Sequence, residues 1–555
     1  MTATSEPKKA TSGHTRADGT PAPGPDHVKP HPFASVAHKP AIGSPGTTAT
    51  KFMSITQLAM LTVVAVASLR SLPAMAGYGL GSVTLFIIPA IFFLIPVALV
   101  AAELATGWKG GVFTWVRMAF GERWGFQAIW LQWVQNVVWY PTQIAFIAAS
   151  LAFVFLDPNL ANSGLYTAIV ILVIYWFSTF ITLRGGNLFA KVGSWSGLAG
   201  TIFPGLLLIV FGAIWLGSGQ PSQTPLEASA IIPPFTGIAS IVLIVSNVLA
   251  YAGMEVNAVH ANDLKSPGKG YPKTVLIASI LILGIFIFPT VAIAVAVPSS
   301  ELGLTTGINL AFQTYFDTWG MAWATPLISL LIALGAFASV VTWIAGPSRG
   351  LLAAARSGYL PPFLQRRNKA GVQVGILNVQ GIVVTLLAAL FIFVPNINTA
   401  FILLVDMAAA LYLIMYMMMF AAAMRLRRTQ PGVTRTYRTP AMGLIATIGF
   451  LACLAAFALG FVPPSGFAAG APGWAYPALV AAIVILLGVP PLIFYAARRP
   501  GWDQRSAAEK ATFDDVLVNP STTAPPASST PPSSTPPAPS TPPAPSTPPP
   551  PSATP

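Results

Sequence analysis

Apolar runs long enough to cross a lipid bilayer recur along this chain, and few features restrict a fold so tightly. A transmembrane helix needs roughly 20 mostly apolar residues, and about twelve runs meet that length rule. They centre near Val64, Phe92, Val138, Leu172, Leu207, Val245, Gly284, Ile332, Val384, Tyr412, Leu454 and Ile485. The composition agrees: 54% of the 555 residues are hydrophobic and only 8% are charged, where soluble domains carry about 25% charged residues. A chain this size cannot present enough polar surface to stay in water as a globule, which excludes a soluble enzyme. The expected fold class is an all-α polytopic membrane protein with a lipid bilayer as its solvent. Pro89, Pro96, Pro141, Pro204 and Pro289 fall inside the runs, where neighbouring groups can satisfy the carbonyls that proline frees.

A net charge of +13 would suit a nucleic-acid partner, but the placement of the charges argues against one. Alternate loops carry them: Lys109, Arg117 and Arg123; Arg184 and Lys191; Lys265, Lys269 and Lys273; Arg349, Arg356, Arg366, Arg367 and Lys369; Arg425, Arg427, Arg428, Arg435 and Arg438; Arg498 and Arg499. The intervening loops 218–234, 298–320 and 463–474 contain no Lys or Arg. Strict alternation is the positive-inside pattern. It predicts a multi-pass protein of the cell (plasma) membrane with both termini cytoplasmic.

The chain divides into an apolar, membrane-spanning core at 51–499 and two tails. Residues 1–50 are rich in Pro, Ser, Thr, Gly and Lys, and 500–555 run into a Pro/Ser/Thr tract ending STPPPPSATP. Such composition buries too little apolar surface to offset the entropy of ordering, so both tails are expected to be disordered and cytoplasmic. The single cysteine, Cys453, lies in an apolar run and excludes a cysteine metal cluster. No G-x-x-x-x-G-K-[ST] loop is present, and no cofactor or metal is expected.

Ionisable residues inside the runs mark candidate function. Arg70 sits in the first run, VAVASLRSLPAMAG. A central Arg costs roughly 2.5–3.5 kcal/mol even on the lenient insertion scale, so it calls for a partner or a wet cavity. Ser68, Ser71 and Pro73 beside it read as a helix interruption, or as a simple proline kink. In the sixth run, SNVLAYAGMEVNAVHAND, Gly253 and the polar Asn247, Tyr251, Glu255 and Asn257 suggest a second break. Paired breaks at matching positions of two five-span halves point to an inverted-repeat transporter with a midplane site. Freed N–H groups at the half-helix starts could hold a substrate carboxylate, and freed carbonyls its ammonium. Gln132, Gln135, Asn136, Tyr140 and Gln143 share one face of the third span, as substrate path or as interhelical glue. Asp406, with Tyr412 and Tyr416 beyond it in the tenth span, is either a coupling acid or the structural partner of another charge. Glu103 and His260 lie near helix ends and suit an interface or a gate.

Three segments carry a resemblance: GWKGGVFTWVRMAFGERWGF (107–126), YAGMEVNAVHANDLKSPGKGYPKTV (251–275) and TWIAGPSRGLLAAARSGYLP (342–361). In this order, within about residues 53–497, the chain resembles the amino acid–polyamine–organocation (APC) superfamily, and most of all its glutamate/γ-aminobutyrate antiporter group. The resemblance implies a LeuT-type 5+5 inverted repeat with helices 1 and 6 interrupted, plus two extra helices, working by alternating access. It also places Glu255 and Tyr416 on the substrate path. The chain departs from that group at Arg70, where the antiporter has Tyr, and at Ser339, where it has Glu. The Pro/Thr tail has no counterpart to the antiporter's basic C-terminal plug.

The expected function is a secondary active permease of amino acids, by exchange or proton coupling, rather than an enzyme. A polyamine or other organic amine or acid permease is the alternative, and a channel or sensor on the same scaffold a more distant one. Arg70, Ser71, Tyr251, Gly253, Glu255, Ser339 and Tyr416 are the expected substrate-binding residues, with Glu255 and Asp406 as coupling or gating acids. The charge alternation yields a direct test. A cysteine introduced at Ser218 should react with an impermeant thiol reagent on intact cells, and one at Gly268 should not; the reverse would invert the topology.

Overall fold

The computed structural model describes residues 53–184, 198–394, 396–463 and 472–505. Within them the chain forms helices, with only isolated bridges in place of any sheet. In hydrocarbon every backbone N–H and C=O needs a partner within the protein, and helices supply it locally. Among the described residues ten helices are long and apolar enough to span a bilayer, and one bent pair makes eleven. The twelfth expected span, near Val245, is present as two short helices separated by a turn.

The first span is that bent pair. Helix α1 (Ile55–Val66) starts with a capping box, in which the Ser54 hydroxyl accepts from Gln57 N–H and the Gln57 side chain answers Ser54 N–H. The chain then extends at Ala67 and Ser68, tightens into a single turn at Leu69–Ser71, and resumes as α2 (Leu72–Ala76). The bend is 48°. Pro73 lies in the first turn of α2, where a missing N–H costs nothing. The structure thus has an interruption where a kink was the alternative.

Next come α3 (Gly81–Gly107), the short α4 (Gly111–Phe120), α5 (Glu122–Val154), α6 (Gly164–Arg184) and α7 (Ala199–Gly217). The sixth span consists of α8 (Ile244–Ala250), a turn through Gly253, and α9 (Met254–Ala258). Gly253 has φ +107°, a backbone region that strains any residue with a Cβ. Helices α10 (Pro267–Ala296), α11 (Gly307–Thr318), α12 (Thr325–Ala355), α13 (Val374–Phe393), α14 (Ile397–Thr429), α15 (Met442–Leu459) and α16 (Ala475–Ala496) complete the described core. The broken spans are the first and the sixth, as an inverted repeat requires.

Long helices α5 and α14 form the centre, buried along most of their lengths, whereas α15 and α16 turn apolar side chains outward. Polar ties fix the packing. Trp133 Nε1–H donates to Gln380 Oε1 at 2.8 Å, and Gln380 Nε2–H donates to the Tyr175 hydroxyl at 2.7 Å, joining α5, α13 and α6. Where α7 crosses α12, Gly200 and Gly335 face each other so closely that a Cβ on Gly200 would lie 2.4 Å from Gly335 Cα. Small residues at such crossings let backbones approach in a membrane.

The basic loops meet on one face. Glu103 at the end of α3 pairs with Arg427 at 3.2 Å and accepts from Thr439 N–H at 2.7 Å. Arg435 Nε lies 3.6 Å from the same carboxylate, near enough for attraction and too far for a hydrogen bond. Burial pulls the Arg435 pKa below its ordinary value, and the Glu103 charge opposes that shift. Glu122 pairs with Arg117 and Arg498, and Asn368 donates to Leu183 O. His260 and Asp263 form an exposed pair at 2.8 Å. Two of the Lys/Arg-free loops are each anchored by a hydrogen bond: Thr84 donates to Ile231 O, and Leu304 N–H donates to Asn398. Residues 500–505, at the start of the expected C-terminal tail, pack on the loop after α12 through Gln365 to Trp502 O and Gln504 N–H to Arg356 O. The remainder of both expected tails lies outside the described residues.

Candidate functional site

Glu255 lies two residues beyond Gly253 of the sixth-span turn, on α9, and is 2% exposed. A buried carboxylate needs donors for both oxygens. Tyr412 on α14 donates its hydroxyl to Oε1 at 2.6 Å, and Gln132 on α5 donates Nε2–H to the same oxygen at 3.1 Å. Tyr416, one turn further along α14, donates to Oε2 at 2.6 Å. The Tyr416 hydroxyl also accepts the Gly253 N–H at 2.8 Å, satisfying a donor that the turn had freed. Three elements converge on one carboxyl group, and Phe93 of α3 packs edge-on against Tyr416 at 5.0 Å.

Glu255 and Gln132 also line a cavity of about 630 Å³. Its walls include Leu61 and Val64 of α1, Gly335, Ser339, Thr342 and Trp343 of α12, and Gln143 of α5. It reaches Gly110, Trp115 and Gly350, residues next to the basic loops. A second cavity, about 90 Å³, lies beside the first-span break and is lined by Arg70, Ser71, Gln135, Asn136, Ser339 and Tyr412 among others. Ser339, Trp343, Val64 and Ser68 border both.

The structure therefore brings together Arg70, Ser71, Ser339, Glu255, Gly253 and Tyr416 around the two breaks. It leaves Tyr251 and Asp406 outside. Tyr251 donates its hydroxyl to Phe86 O at 3.0 Å and stacks on Phe286, a packing role that seals α8 against α3 and α10. Asp406 is bonded to the Tyr476 hydroxyl of α16 and lines neither cavity. Nor do Arg70 and Glu255 pair with each other: the carboxyl is held by Tyr412, Tyr416 and Gln132. The third-span stripe divides between the two readings it allowed. Gln132, Gln135, Asn136 and Gln143 reach the cavities, and Tyr140 is glue against Tyr175. Trp343, and Phe401, whose ring lies 5.4 Å from the Arg70 Cζ, carry no sequence signal that separates them from packing aromatics. Tyr412 does carry one, its spacing of four from Tyr416.

Comparison with known proteins agrees with this geometry. The amino acid permease family model matches residues 53–487. The chain belongs to the amino acid permease family. An uncharacterized transporter of Legionella pneumophila is 40% identical over 421 residues, covering 75% of this chain and 90% of that protein. A glutamate/gamma-aminobutyrate antiporter of Lactococcus lactis is 32% identical over 471 residues, covering 83% and 93%. A probable agmatine/putrescine antiporter of the same species is 26% identical, covering 68% and 81%. This permease is a multi-pass membrane transporter of amino acids or amines, not an enzyme.

The site's hydrogen bonds rank its two tyrosines. Tyr416→Phe strands both a carboxyl oxygen and the Gly253 N–H, whereas Tyr412→Phe leaves Gln132 on the oxygen it vacates. At about 1–3 kcal/mol for each stranded buried group, Tyr416→Phe should lower the melting temperature of the detergent-solubilised permease more than Tyr412→Phe. Equal shifts, or the opposite order, would contradict this assignment.

Proposed function

We propose that this permease is a secondary transporter of amino acids in the cell membrane, and that its basic face is cytoplasmic. On that reading the large cavity is an inward-facing vestibule. The observation that carries the proposal is the buried Glu255 carboxyl, held by Tyr412, Tyr416 and Gln132 on the wall of that cavity. Alternating access requires the broken sixth span to move against its neighbours, and these bonds tie α9 to α14 and α5. They act as a latch at the hinge.

The latch suits control by a proton. As a carboxylate, Glu255 accepts from all three donors. Protonation turns one oxygen into a donor and misorients a partner hydroxyl, which loosens the tie. The relatives support exchange of carboxylate-bearing substrates: the glutamate/gamma-aminobutyrate antiporters match more of this chain, at higher identity, than the polyamine transporters do. We read the permease as an amino acid exchanger whose rate rises on acidification.

Glu255→Gln holds an amide where the protonated acid would stand. In proteoliposomes loaded with L-glutamate, the wild-type counterflow rate should rise as pH falls from neutral. The variant should lose that rise while still reconstituting and showing trans-stimulation. A variant with the wild-type pH profile would remove Glu255 from the coupling.

A further inference from the structure

A buried cation in a membrane normally has an anion beside it, and Arg70 has none. Its side chain is 4% exposed, Nε has no hydrogen-bond partner, and it forms no ion pair among the described residues. The acids that could have answered it are engaged elsewhere: Glu255 with Tyr412, Tyr416 and Gln132, and Asp406 with Tyr476. What the guanidinium does have is the Phe401 ring, 5.4 Å from Cζ, and a small cavity.

That cavity has the chemistry of an anion site. Ser68, Ser71, Gln135, Asn136 and Ser339 join Arg70 around about 90 Å³, and its lining contains no Asp or Glu. Ser71, also 4% exposed, has no partner for its hydroxyl. An unpaired guanidinium and a free hydroxyl buried inside a membrane-spanning bundle are costly, and a planar carboxylate would relieve the first through a bidentate bond to Arg70 and the second by accepting from Ser71. Helix α2 has five residues, too few for its N-terminus to serve as the receptor expected from the sequence, so the side chain takes that part.

We propose that this cavity is the carboxylate receptor of the permease, with Arg70 as the binding residue. The inference rests on the transport reading for its biological use and deepens it. Because the small cavity shares Ser339, Trp343 and Ser68 with the large one, one ligand can place its carboxylate at Arg70 and its remainder toward Glu255. The fixed positive charge also selects: a carboxylate-bearing amino acid is drawn in, and a diamine without a carboxylate is repelled. Arg70 thereby separates this chain's substrates from those of polyamine carriers.

The test uses the purified full chain, with radiolabelled L-glutamate, 4-aminobutyrate and putrescine. Binding is measured in detergent and counterflow in proteoliposomes. Wild type should bind at least one of the two carboxylates and not putrescine. Arg70→Met should weaken carboxylate binding about 10- to 100-fold, the range for a hydrogen bond to a charged group. Arg70→Lys should fall between, having the charge without the fork. Should Arg70→Met fail to fold, Arg70→Lys and Ser339→Leu, which takes up cavity volume while keeping the guanidinium in the chain, carry the test, and both should weaken binding. Carboxylate affinity within about twofold of wild type in the folded Arg70 variants, or a wild type that binds putrescine alone or nothing, overturns the receptor. Arg70-dependent binding without trans-stimulation supports the receptor and removes the exchanger reading. Trans-stimulation with affinity indifferent to Arg70 does the opposite.

Discussion

A carboxyl group buried inside a membrane-spanning bundle must be supplied with donors by the protein, since hydrocarbon offers none. Glu255 obtains them from two other helices, and this requirement organises the centre of the molecule. Tyr412 and Tyr416 have to stand one turn apart on α14, and Gln132 has to face them from α5. The turn at Gly253 has to leave its N–H pointing at the Tyr416 hydroxyl. The same bonds that make burial of the acid tolerable also join the interrupted sixth span to the rest of the bundle. An interruption so tied is stable yet can be released by changing one group's hydrogen-bonding capacity. That combination is what a transporter needs from a hinge.

Positive charge is handled in two ways that differ by location. At the basic face Arg427 and Arg435 converge on Glu103, and Arg117 and Arg498 on Glu122, so that loops are pinned by ion pairs. Arg70, deep in the bundle, has an aromatic ring and a polar cavity in place of an acid. An ion pair between Arg70 and Glu255 would have cancelled both charges and left the breaks with nothing to offer a ligand. Their separation leaves a cation at the first break and an acid at the second, with a shared cavity wall between them.

Much of the fold was legible because the signals are local. Apolar length marks spans, Lys and Arg mark one face, and Ser68, Pro73 and Gly253 mark the two breaks through backbone chemistry. The sixth span was legible only as a whole: its halves are too short to register as spanning helices, and the run of polar residues identified it instead. The site was harder, because it depends on which helix faces which. Tyr251 and Asp406 looked as functional as Glu255 by type and position, yet Tyr251 caps a backbone carbonyl and Asp406 meets Tyr476, a residue 70 positions away. Tertiary pairing of that kind leaves no periodicity to read, and neither does the contact of Phe401 with Arg70.

Alternating access requires the cavity between the two breaks to open to one side of the membrane at a time. A cysteine at Thr342, on the wall of the large cavity, tests it in a chain whose buried Cys453 is replaced by alanine. In sealed vesicles an impermeant maleimide should label this position from the basic face and not from the other. A saturating transported amino acid should slow that labelling by drawing the protein into occluded and opposite-facing states. Equal labelling from both faces, or a rate indifferent to the transported substrate, would contradict the account.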